Sequence, residues 1–145
     1  MSERKGSVNW QGRGKDGRGR ISTETGTLKD ANYGYATRFE DDKRGTNPEE
    51  IVGAAHAACL TMAFAFALER EGLTATRIDT KAAVRLAKDG DGFKIDRIQL
   101  ELDAAVPNLE EARFQQIAAA AKAGCPLSKA LASVPEITLK ATLAG

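Results

Sequence analysis

The chain has 145 residues, of which 42% are hydrophobic and 28% charged, with a formal net charge of +1. A chain of this length folds around one core without needing a metal or structural disulfides, and its hydrophobic content excludes intrinsic disorder. So small a net charge excludes a global field drawing the protein to nucleic acid or anionic lipid, and leaves only a local patch for such binding.

In chain order, Met1-Ser2-Glu3-Arg4-Lys5 has no apolar segment behind it, and no uninterrupted apolar stretch reaches the roughly 18 residues of a membrane span. The expectation is a cytoplasmic protein with no membrane partner. Three segments of strand character follow, SVNWQG, RISTETG and YGYATRFE, separated by Gly-rich and Asn/Asp turns. They read as an antiparallel meander. The best basic patch, Arg13, Lys15, Arg18 and Arg20, is interleaved with Gly12, Gly14, Gly17 and Gly19. It reads as a solvated hairpin loop before it reads as a phosphate strip, so no nucleic-acid partner is expected.

At Asn47-Pro48-Glu49-Glu50 the pattern changes to a helix start: Asn47 caps, Pro48 fits the first turn, and the glutamates complement the helix dipole. The helix runs through IVGAAHAACLTMAFAFALER to Glu71-Gly72. Its side chains are apolar or small almost all the way round, which predicts burial on every side and, in a chain this short, cover from a second subunit. Gly53, Ala54, Ala55, Ala57 and Ala58 would admit a close helix neighbour.

Two alternating runs, Ile78 to Leu86 and Ile98 to Val106, joined by Asp89-Gly90-Asp91-Gly92, predict a long β-hairpin. Ile95 and Ile98 are out of register with each other, which predicts a bulge near Asp96 and Arg97. LEEARFQQIAAAAKAG reads as a second amphipathic helix stopped at Gly124, CPLSKAL as a short helix opened by proline, and EITLKATL as a last strand. The fold class is α+β, a single domain over residues 1–145 with antiparallel sheet elements around a long central helix, built as an intertwined homodimer.

Cys59 and Cys125 lie 66 positions apart, without the spacing of a redox C-x-x-C or a zinc knuckle. On residue type alone they are either inert core thiols or reaction chemistry. His56, three residues before Cys59, invites a Cys-His dyad, but a lone histidine among alanines reads first as a hydrogen-bonded core residue. A zinc site of Cys59, Cys125, His56 and a carboxylate fits by ligand type and is disfavoured by the mid-helix position of Cys59. Cys125, just after a glycine stop and just before a proline-initiated helix, stands near free backbone N–H groups that favour its thiolate.

TNPEEIVGAAHAACLTMAFAFAL around Cys59, CPLSKAL at Cys125, and WQGRG, STETG and YGYATRFE near the N-terminus together resemble the OsmC-like hydroperoxide reductases over nearly the whole chain. The resemblance implies a cysteine-based peroxidase that reduces organic hydroperoxides to alcohols, with hydrogen peroxide, reduced to water, as a further substrate. Cys59 stands at the position of the attacking thiolate and Cys125 at that of the resolving sulfur. It also implies an arginine that holds the thiolate and a glutamate that orients it. Glu49 matches the glutamate, and Arg38 is the first choice for the arginine, with Arg20 the alternative on the pattern of the organic hydroperoxide resistance branch. Cofactors are none; an external small or lipoyl-type dithiol regenerates the enzyme, and induction under oxidative or osmotic stress is implied.

In a continuous helix Glu49 and Cys59 stand about 15 Å apart along the axis, so a site shared across two antiparallel helices of a dimer is expected. Leu60, Met62, Phe64, Phe66 and Leu127 are candidate walls for an apolar peroxide pocket. The rival readings are a non-catalytic homodimer that binds a small apolar ligand and a nucleic-acid binder acting through the basic loop.

Overall fold

A computed structural model of the chain describes residues 1–144. The chain divides into two compact units, Met1–Ile51 and Val52–Gly145. In the first, β1 (Gly6–Gln11), β2 (Arg18–Thr23) and β3 (Ala31–Tyr33) form an antiparallel sheet in the order β1-β2-β3. The register sets Trp10, Gly19 and Tyr33 side by side. The Trp10 and Tyr33 rings meet edge to face at 5.6 Å. A Cβ on Gly19 would overlap both of them, so the glycine makes room for the aromatic pair.

The third segment of the expected meander is corrected by the structure. Only its first residue, Tyr33, is strand, and Tyr35–Phe39 forms a short helix, α1. The reason is local. Tyr35 and Phe39 stand at i and i+4 with ring centroids 5.0 Å apart, and the Thr37 hydroxyl accepts the Gly34 N–H at 2.9 Å. Aromatic residues suited to a strand are here spaced for a helix.

Helix α2 spans Pro48–Arg70. Asn47 caps it as its sequence suggests, its Oδ1 accepting the Glu50 N–H at 2.8 Å while its Nδ2 donates to the Thr37 carbonyl at 2.8 Å. The end is closed by Gly72, whose φ of +75° suits a glycine, and by the Leu73 N–H bonding back to the Leu68 carbonyl at 2.9 Å.

In the second unit β4 (Arg77–Asp89) and β5 (Gly92–Ala105) form the long hairpin, turned on Gly90 and Asp91. Arg85 pairs with Arg97 and Leu86 with Ile95, which leaves Asp96 as the extra residue of the expected bulge. Its carboxylate accepts two hydrogen bonds from the Arg85 guanidinium, at 2.8 and 2.7 Å. After α3 (Glu111–Gly124) and α4 (Pro126–Ala130), β6 (Glu136–Leu143) joins β5 in parallel rather than antiparallel. The two helices are the crossover that a parallel neighbour requires.

The core lies between this sheet and the helices. Leu60, Phe64 and Leu68 of α2 cluster with Ile98, Leu100 and Leu102 of β5 and with Phe114, Ile117, Ala118 and Ala121 of α3. Burial of α2 on every side is therefore corrected. His56, Leu60, Phe64 and Leu68, each four residues after the last, are buried, whereas Ala54, Ala55, Ala58, Met62, Ala65 and Phe66 are exposed. Gly53, expected to admit a second helix, faces β4 instead: a Cβ there would stand 3.0 Å from the Ala82 carbonyl oxygen. The membrane expectation also changes in its premise. By length and composition α2 is apolar enough to cross a bilayer, because between Ile51 and Leu68 it carries no charged residue. Its buried stripe is nonetheless spent on the chain's own core.

Candidate active site

Two pairs of the residues singled out in the sequence are in direct contact. In the second unit, α2 carries Cys59 and the segment between α3 and α4 carries Cys125. Both are free thiols, and their sulfurs share a hydrogen bond of 2.9 Å. That is about 0.9 Å longer than a disulfide bond, so little motion separates the thiol pair from the oxidised one. Cys125 is fully buried and Cys59 partly exposed. A solute therefore reaches Cys59 first.

The position of Cys125 follows from Pro126. A residue before proline is driven out of the helical region, and Cys125 is extended, with φ −62° and ψ 123°, between the end of α3 and the start of α4. Its sulfur makes no full capping hydrogen bond. Burial works against the Cys125 thiolate, but the Cys59 thiol, the amide and hydroxyl of Ser128, and the Leu127 amide together outweigh it and hold Cys125 below the ordinary thiol range. Cys59 moves the opposite way. Burial, followed by its hydrogen bond to Cys125, pushes the thiol up, against a smaller opposing pull from the Leu127 amide. Within the pair the surroundings thus favour negative charge more at Cys125 than at Cys59, the reverse of what an attacking Cys59 would need.

His56 makes no Cys-His dyad. It is fully buried, and its Nε2 lies 2.9 Å from the Ser128 hydroxyl. Burial, and then the charge of Lys122, pushes its pKa down, so the imidazole is neutral at pH 7. Among the described residues no group of three or more His, Cys, Asp or Glu side chains is arranged to hold a metal ion.

The second pair belongs to the first unit. Arg38 of α1 donates to Glu49 Oε1 from Nε at 3.1 Å and from Nη2 at 2.8 Å. Glu49 is buried, at 7% exposure, and its Oε2 has no hydrogen-bond partner. Glu49 thus takes Arg38 as its ion-pair partner rather than the alternative Arg20, which is exposed on β2. The guanidinium, 5.5 Å from the centre of the Phe39 ring, remains 38% exposed in its side chain.

The candidate pocket walls near the cysteines divide between core and surface. Leu60 and Phe64 are core residues without exposed surface, Met62 and Phe66 point to solvent, and Leu127 acts through its amide. An open hollow of about 550 Å³ lies instead beside α3, α4 and β6, lined by Gln115, Lys122, Ser128, Lys129, Ile137 and Leu139 among others. Ser128 is the residue that the sequence reading missed. The available signal was its place three residues after Cys125, where a helix-starting residue and the third helical residue face each other.

Residues 40–140, which include both cysteines and Glu49, match the family model described as OsmC-like protein. The chain belongs to the OsmC-like family. It is 49% identical over 136 residues to Peroxiredoxin OsmC of Escherichia coli strain K12, an alignment covering 94% of this chain and 93% of that protein. The crystal structure of the organic hydroperoxide resistance protein OhrB of Bacillus subtilis superposes with a TM-score of 0.68 at 27% identity, over 97% of this chain and 98% of the other. The OsmC-like protein of Mycoplasma pneumoniae superposes with a TM-score of 0.76 over 99% of both chains; at 16% identity it shows the shared fold. The α+β class, with two three-stranded sheets and a long helix, is therefore the OsmC-like fold.

Proposed function

We propose that this OsmC-like protein is a cysteine-based peroxidase that reduces organic hydroperoxides to alcohols, with Cys59 attacking and Cys125 resolving. The contact between a partly exposed and a fully buried sulfur, 2.9 Å apart, carries the reading. It supplies a first sulfur that solutes reach and a second already in line to close the disulfide. The relatives' names, a peroxiredoxin and an organic hydroperoxide resistance protein, agree with it.

In the first step the Cys59 sulfur bonds to the distal peroxide oxygen and the O–O bond breaks. The alkoxide leaves as alcohol with the proton that lay between the sulfurs, and Cys59 becomes a sulfenic acid. In the second, the Cys125 thiolate attacks the Cys59 sulfur and expels hydroxide, which a proton from solvent converts to water. Two thiols are oxidised and one peroxide is reduced to alcohol and water. An external dithiol, small or lipoyl-type, returns the disulfide to thiols. The cytoplasm, which keeps dithiols reduced, suits this cycle. Incubating the reduced protein with an organic hydroperoxide should remove both thiols of each chain and release one alcohol. Thiols unchanged after such treatment would overturn the proposal.

Arg38 and Glu49 complete the reaction by stabilising the Cys59 thiolate and polarising the peroxide, with Glu49 fixing the guanidinium. In the continuous helix α2 Glu49 and Cys59 are separated by about 15 Å of rise. We therefore assign the Arg38–Glu49 pair of one protomer to the cysteine pair of its partner. The uncovered stripe of α2, Ala54, Ala58, Met62, Ala65 and Phe66, supports a dimer of two such helices. Mixing Glu49→Ala with Cys59→Ser protein should restore part of the activity, since heterodimers then hold one intact site. No recovery after demonstrated subunit exchange would sink the shared site.

A further inference from the structure

His56 has no part in the chemistry described above, yet it is the sole histidine of the chain and has no exposed surface. A buried imidazole is costly unless its polar atoms are used. One of them is: Nε2 lies 2.9 Å from the Ser128 hydroxyl. The other, Nδ1, is buried without a partner. A buried N–H left unpaired is rarer than an unpaired acceptor, so the proton of the neutral ring sits on Nε2 and points at Ser128. With its oxygen accepting from the imidazole, the hydroxyl is left with its own hydrogen to donate elsewhere. Ser128 follows Cys125 by three residues at the start of α4, and its amide and hydroxyl both ease negative charge on that sulfur. Cys125 in turn is bonded to Cys59.

We propose that His56 is a positioning residue: through its hydrogen bond to Ser128 it directs the hydroxyl's own hydrogen toward the Cys125 sulfur and so readies the resolving cysteine to close the disulfide. This rests on Cys125 being the resolving sulfur, as argued above. No proton is transferred to or from the imidazole. It fixes the direction of the hydroxyl, which would otherwise be free to turn its hydrogen away from the sulfur. The charged or titratable groups facing this chain are Lys122 from α3 and Cys59 from α2; burial, and then the charge of Lys122, keeps the ring neutral and so keeps a lone acceptor on Nδ1. Loss of the chain slows the second step more than the first, and lengthens the life of the Cys59 sulfenic acid.

The test is a single-turnover experiment with an organic hydroperoxide on the full-length reduced protein, in which trapping with a sulfenic-acid reagent and thiol counting follow the two steps separately. In Ser128→Ala the ratio of the disulfide-forming rate to the sulfenic-acid-forming rate should fall by about tenfold or more, the size expected for one hydrogen bond to a charged group. His56→Leu should behave the same way, and His56→Gln, whose amide can donate from the place of Nε2, should recover much of the ratio. In a Cys59→Ser background, the pH profile of Cys125 alkylation should move to higher pH when Ser128→Ala is added. A Ser128→Ala protein with wild-type ratio and an unmoved Cys125 profile would overturn the assignment even if the buried histidine variants failed to fold. A wild-type protein that forms no sulfenic acid and loses no thiols would instead refute the peroxidase reading itself.

Discussion

Cys59→Ser protein should lose hydroperoxide reduction to the uncatalysed background, a fall on the order of a thousandfold or more, because the other sulfur, Cys125, is fully buried. Cys125→Ser should behave differently. It still releases one alcohol per chain in a first turnover and then halts at the Cys59 sulfenic acid, which excess peroxide carries to sulfinic acid. Mass spectrometry after one equivalent of hydroperoxide separates the two, with one added oxygen on Cys125→Ser and none on Cys59→Ser. The reverse pattern would exchange the roles of the sulfurs. The two properties point to different sulfurs: the surroundings favour negative charge at Cys125, whereas accessibility lies with Cys59. We weight accessibility more heavily: the substrate has to reach the sulfur, whereas a proton shared across 2.9 Å moves readily once the peroxide is in place.

Phe64→Ala is the substitution with the largest expected effect on stability. Phe64 has no exposed surface and meets Phe114 edge to face, with ring centroids 5.7 Å apart. It thereby joins α2 to α3, the elements that lead to Cys59 and Cys125. Its truncation should cost about 3–5 kcal/mol, a large share of the total for a domain of this size. Denaturant titration would show this as a lower midpoint with an unchanged slope. Phe66→Ala, two residues on and exposed in the single chain, is the control. In a monomer its cost should stay below about 0.5 kcal/mol. A larger cost that depends on protein concentration is the result expected if the α2 stripe is covered by a partner.

Much of the architecture was legible because it is written in local patterns. Asn47 and Pro48 announce the start of α2, Asp89 to Gly92 the hairpin turn, and the mismatch between Ile95 and Ile98 the bulge at Asp96. The misread segments are those in which two local signals compete. YGYATRFE has strand-favouring residues at helical spacing, and the i,i+4 aromatic pair prevailed. In α2 apolar side chains on every face conceal which stripe is buried, because composition there no longer distinguishes inside from outside.

The sequence by itself, through the motifs that resemble the OsmC-like family, pointed to Cys59 and Cys125 and proposed Glu49 and Arg38 as their companions. Their chemistry needs particular residue types, and those types are visible one by one. What only the tertiary structure decided is pairing: that Cys59 meets Cys125, that Glu49 takes Arg38 rather than Arg20, and that His56 turns from the neighbouring cysteine to Ser128. The physical reason is one of range. Caps, turns and periodicities act within a few residues, whereas hydrogen-bond partners and burial are set by segments tens of residues apart that meet only when α2, α3 and the sheet close on a common core.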